Sequence, residues 1–101
     1  MRVQIIGFGN IGQGFAEILI RKNELLRKRY ALELKVVSIT DITGTAVDEK
    51  GLDLSKALEV MKKGKGLLGY PGAKKMNGLE AIETVDADVV VEATPTKIID
   101  G

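Results

Sequence analysis

The sequence contains no cysteine and no histidine. Without thiols there is no disulfide framework and no thiolate chemistry, and without imidazoles as well the usual ligands of zinc are missing. Charge of one sign is also lacking. Fifteen basic residues stand against fourteen acidic ones, which creates no basic field for nucleic acid and no acidic tail. No apolar run is long enough to cross a bilayer, and the first residues lead straight into a β-type run without the charged-then-apolar layout of a signal peptide. These absences argue against transition-metal, nucleic-acid and membrane functions and make the cytoplasm the expected compartment. With 101 residues, the chain is long enough for one small domain with a single core.

What is present is concentrated at the start. Val3-Gln4-Ile5-Ile6 is a short apolar run that breaks into Gly7-Phe8-Gly9-Asn10-Ile11-Gly12, three glycines spaced G-x-G-x-x-G, before a long amphipathic segment begins. The pattern reads as strand, phosphate loop and helix start. Gly7 permits the sharp reversal, Gly9 lets the backbone approach a diphosphate, and Gly12 lets the helix lie close on the strand. The diphosphate would rest on N–H groups at the helix N-terminus, where the helix dipole favours negative charge. No Walker lysine follows, which disfavours a nucleotide-hydrolysing P-loop. Three such glycines alone are a weak signal; the βαβ order around them makes a dinucleotide site the expectation over an empty turn.

Further along, Ile11, Phe15, Ile18, Leu19, Leu26 and Tyr30 repeat at helical spacing, with charged residues on the other side. Arg27, Lys28 and Arg29 read as a solvated helix end that complements the dipole. Residues 34–40 are rich in β-branched types and predict a second strand ending at Asp41. An acid there accepts hydrogen bonds from the adenosine ribose and repels a 2′-phosphate, or, more plainly, opens the turn Asp41-Ile42-Thr43-Gly44. Residues 43–52 read as a loop, Asp53 as the cap of a helix through Lys63, and 62–78 as a mobile Lys/Gly loop with a short extended piece at Leu67-Leu68. That loop is basic, yet lysine and glycine are what solvated loops are made of, so phosphate binding is the lesser reading of it. Asn77 and Glu80 form a capping box opening a short helix through Thr84. Val89-Val90-Val91-Glu92-Ala93 is apolar on both faces, as in a central parallel strand, and Thr94-Pro95-Thr96 at its carboxyl end faces the same crevice as the glycine loop. The fold class expected is α/β: a Rossmann-like, open, mainly parallel three-layer sheet with helices on both faces, incomplete at about three to four strands.

G-F-G-N-I-G at 7–12, the strand ending in Thr40-Asp41 with Gly44 beyond it, the Gly51-Leu52-Asp53 loop, and the run from Asp88 to Thr96 together resemble the amino-terminal cofactor domain of homoserine dehydrogenase. Val-Val-Glu-Ala-Thr-Pro-Thr is the most specific part of the resemblance, since the glycine motif is shared with many dehydrogenases.

The resemblance implies an oxidoreductase with NAD or NADP as cofactor, interconverting L-homoserine and L-aspartate 4-semialdehyde in threonine and methionine biosynthesis. It implies that Phe8, Gly9, Asn10 and Ile11 line the pyrophosphate and that Thr94 and Pro95, next to Ala93, lie by the nicotinamide and its ribose. Gly7, Gly12 and Asp41 complete the expected cofactor set. Lys97 stands where the family often has asparagine. Ile42 stands where some relatives carry an arginine for a 2′-phosphate, which leans towards NAD, with Lys56 or Lys62 as the cations left to reach a phosphate. The family's substrate contacts and catalytic lysines lie in a following domain, so residues 1–101 are expected to form a dinucleotide-binding domain with no catalytic residue, to bind cofactor weakly and to turn over no homoserine. A bare sheet edge would invite a homodimer. Two other readings share the glycine loop: a non-enzymatic NAD(H)-sensing regulatory domain, and the cofactor half of a related amino-acid or semialdehyde dehydrogenase.

Overall fold

In the computed structural model, residues 1–30 and 34–93 are described, without the side chains of Leu26 and Tyr30. The apolar run at the start forms β1 (Arg2–Ile6), and the amphipathic segment forms α1 (Asn10–Tyr30), a single helix whose last turn carries Arg27, Lys28 and Arg29. The β-branched stretch forms β2 (Lys35–Asp41), parallel to β1. After it come β3 (Gly44–Val47), α2 (Leu54–Lys62), a single 3-10 turn at Leu67–Gly69, α3 (Gly78–Thr84) and β4 (Val89–Glu92).

The strand order is β3-β2-β1-β4. β4 runs parallel to β1, while β3 turns back antiparallel on β2. The expected α/β fold therefore stands, with a mixed sheet. The predicted loop over 43–52 does not: Asp41 pairs with Gly44, so the expected turn is a two-residue hairpin loop and Thr45-Ala46-Val47 returns along β2. A strand of four residues opening on glycine carries too little alternation to be seen in the sequence.

The core lies on one face of the sheet. Val3, Ile5, Val36, Ile39 and Ala46 from the strands meet Ala16 and Leu19 of α1, Ala57 and Val60 of α2, and Leu67 of the 3-10 turn. At Leu67-Leu68 the structure thus has a helical turn where an extended piece was expected. Its buried Leu67 is a plug into the core. α3 covers the other face, where a Cβ on Gly78 would stand 2.9 Å from the Ile6 side chain.

Two expectations fail for geometric reasons. α1 buries Gly12, Ala16 and Leu19, spaced four and three apart, whereas Ile11 and Ile18 are 71% and 52% exposed. The stripe against the sheet is the one whose small residues permit close approach. β4 was expected to be central, yet it is an edge strand among the described residues, with Val89 and Val90 38% and 45% exposed. Asp53 and Asn77 cap α2 and α3 as expected, the second in a full capping box with Glu80.

Candidate functional site

The carboxyl ends of β1, β2 and β4 are pinned together by backbone bonds just beyond the strands. Gly7 donates its N–H to the Thr40 carbonyl at 2.7 Å, and Ala93 donates to Ile6 at 2.7 Å. This fixes the rim from which the glycine loop rises. Gly7 has φ 93°, a left-handed backbone that makes the reversal and suits glycine. At Gly12 a Cβ would lie 2.4 Å from the Gly7 carbonyl oxygen, so the helix closes onto the loop itself. At Gly9 a Cβ would meet nothing within 4 Å: the backbone there borders open space.

The Gly9 carbonyl accepts from Gln13 N at 2.9 Å, the first bond of α1, so the N–H groups of Asn10, Ile11 and Gly12 have no intrahelical acceptor. No acid sits in the first turn, and the local field favours an anion. A diphosphate fits this seat: the first-turn amides lack intrahelical acceptors, glycine leaves the approach clear, and the first turn of α1 holds no acid. Phe8 contributes main chain only. Its side chain is buried in the core and its carbonyl accepts from Gln13 Nε2 at 2.9 Å.

From the glycine loop a crevice of about 730 Å³ extends along Thr40–Gly44 to the opposite wall at Met61 and residues 75–78. Asp41 lies on its floor, but its carboxylate is already engaged. Oδ1 accepts from Thr43 N at 2.8 Å, Thr43 Oγ1 at 2.6 Å and Gly44 N at 3.2 Å, while Oδ2 accepts from Leu67 N at 3.0 Å. The plainer reading of Asp41, as the residue that builds the turn, describes these bonds. One acceptor direction on Oδ2 is left for a ribose hydroxyl.

The structure thus brings together Gly7, Phe8, Gly9 and Asp41 around one crevice, with Asn10, Ile11 and Gly12 at its helix end and Ala93 at its rim. Thr94, Pro95 and Lys97 lie outside the described residues. Lys56 and Lys62, the expected phosphate cations, line a separate groove with Asp53 and Glu59. The lysine that does line the crevice is Lys75, one of the lysines of the basic 62–78 segment, for which phosphate binding was the lesser reading. Nothing in the composition of that segment separates Lys75 from its neighbours; its position, two residues before the cap of a helix, is the one signal particular to it. Among the described residues no cluster of acids, histidines or cysteines could hold a metal, and no helix is long and apolar enough to cross a membrane.

Comparison with known proteins agrees with this geometry. Residues 1–101 match the model of the glutamate/leucine/phenylalanine/valine dehydrogenase family. Over its full length the chain is 48% identical to homoserine dehydrogenase of Methanocaldococcus jannaschii, of which it covers 30%. It is 34% identical, over 97% of its length, to the NADP-specific glutamate dehydrogenase of Saccharolobus shibatae, covering 21% of that protein. A hyperthermophilic archaeal homoserine dehydrogenase solved in complex with NADPH superposes with a TM-score of 0.77 at 30% identity, covering 94% of this chain and 28% of that one. The chain thus spans less than a third of these relatives. The resemblance to homoserine dehydrogenase, and NAD or NADP as the cofactor of such relatives, are borne out. Matched along its whole length, the chain belongs to the glutamate/leucine/phenylalanine/valine dehydrogenase family and has the Rossmann-like fold of the homoserine dehydrogenase structures it superposes on.

Proposed function

We propose that this chain is the NAD(P)-binding part of a homoserine dehydrogenase, serving hydride transfer between L-homoserine and L-aspartate 4-semialdehyde in the cytoplasm. The observation that carries the reading is the opening of α1: acceptor-less N–H groups from Asn10 to Gly12, beside a Gly9 whose missing side chain leaves open space. The 48% identity to a homoserine dehydrogenase supports the substrate. Gly7, Phe8, Gly9, Asn10, Ile11 and Gly12 hold the diphosphate, Asp41 accepts one ribose hydroxyl through Oδ2, and Ala93, Thr94 and Pro95 border the nicotinamide. Hydride transfer needs the substrate held roughly 3–3.5 Å from the nicotinamide. In this reading the groups that hold it come from outside residues 1–101. The exposed β4 edge supports self-association as a homodimer.

Calorimetric titration tests the reading. The chain is expected to bind a reduced nicotinamide dinucleotide at one site and, given homoserine with the oxidised cofactor, to produce no reduced nicotinamide. Gly9→Ala adds a methyl that touches no protein atom, so its thermal midpoint should match that of the parent chain. Its affinity should fall roughly tenfold or more, the scale of a lost hydrogen bond to a charged group. An affinity unchanged by Gly9→Ala would remove the diphosphate from this corner.

A further inference from the structure

Beyond the glycine loop, three residues that line the same crevice bear on which dinucleotide it takes. The first is Lys75, the cation on a wall otherwise formed there by Met61, Met76, Asn77 and Gly78. It forms no ion pair among the described residues. Its backbone is also held on both sides. Lys74 exchanges two main-chain bonds with Thr45, at 2.8 and 2.9 Å, and the Met76 carbonyl accepts from Thr45 Oγ1 at 2.7 Å. A lysine strung between two anchors on β3 starts from a fixed Cα, so less freedom is lost when its ammonium takes a ligand.

The second feature is Asp41. A bare carboxylate at this point repels an anion on the neighbouring ribose, but here four donors from the hairpin and the 3-10 turn share its charge. The third is Ile42, whose side chain is fully exposed and covers nothing. The corner between the hairpin and residues 75–78 therefore combines a cation without an ion pair among the described residues, a carboxylate that four donors already engage, and clear access.

We propose that Lys75 recognises the 2′-phosphate of NADP and makes this chain prefer the phosphorylated dinucleotide. The inference rests on the cofactor reading above and deepens it. It relocates the determinant from position 42, on which a preference for NAD was based, to a lysine about thirty residues later that the fold returns to the same corner. An ammonium–phosphate contact is a charge-assisted hydrogen bond between groups of opposite sign, available to NADP and not to NAD.

The test is calorimetric titration of the chain and three variants with NADPH and NADH. The parent chain should bind NADPH roughly tenfold or more tightly than NADH. Lys75→Ala should bring NADPH down to the NADH affinity and leave NADH unchanged, Lys75→Arg should keep most of the preference, and Lys62→Ala, in the other groove, should change neither. Equal affinities in the parent chain, a preference that survives Lys75→Ala, or an equal loss for both nucleotides in that variant would overturn the proposal. Failure of both nucleotides to bind the parent chain would overturn the underlying cofactor reading and this proposal with it.

Discussion

The two flanks of the sheet are built from similar residues and end in opposite states. On one side, Val36 and Ile39 of β2 are buried, packed in one cluster with residues of β3, α2 and the 3-10 turn. On the other, Val89 and Val90 of β4 stand open. A run of valines specifies a strand in either case, but not its cover. What decides is the neighbour. β2 has a partner on each side and β4, among the described residues, has only β1. The buried flank also carries the polar bonds that shape the crevice, so the fold and the ligand corner share the same residues there.

That contrast can be broken or sharpened by substitutions, taken from the largest expected effect to the smallest. Ile39→Ala on the closed flank removes a side chain from the centre of the core and should lower unfolding free energy by about 2–5 kcal/mol in urea denaturation. That is a large share of the ~5–15 kcal/mol that holds a domain together. Asp41→Ala removes the common acceptor of the hairpin and the 3-10 turn, and should cost about 2 kcal/mol. Faster amide hydrogen exchange at Thr43 and Leu67 would mark that loss, and unchanged exchange would mean the carboxylate does not tie the two segments. Asn77→Ala at the start of α3 dismantles one capping box, with an expected loss of about 1 kcal/mol by thermal melting. Val90→Thr should stay within about 0.5 kcal/mol, as for a half-open surface position. Were it to cost as much as Ile39→Ala, the two flanks would not differ in burial as they do in the structure.

How far the sequence could be read follows the same division. The glycine loop, the β2 end, both capped helices and β4 were legible because each has a local cause: a backbone that needs glycine, a side chain that satisfies an amide, a run of β-branched residues. The hairpin return through Thr45-Ala46-Val47 was hidden because four residues give too short a period. The exposure of Ile11 and Ile18 was hidden because hydrophobicity identifies candidates for burial, whereas the approach distance of helix to sheet selects among them, and Gly12 and Ala16 set that distance. Lys75 could be read only as one lysine of a basic loop, for a third reason. Its placement on the crevice depends on two anchors to β3, a strand itself unseen. Of the crevice, then, the floor and the cap at Asn77 were readable, and the placement of Lys75 was not.

The narrow footing of α1 has a consequence for the ligand corner. Ala16 touches no part of the crevice, yet it is one of the two small residues on which the helix rests against the strands. A leucine in its place would act as a shim, tilting the whole rod and swinging its first-turn amides off their aim. Nucleotide affinity would then decline through a residue a full turn away from any phosphate, and a search for binding determinants confined to the crevice walls would miss it.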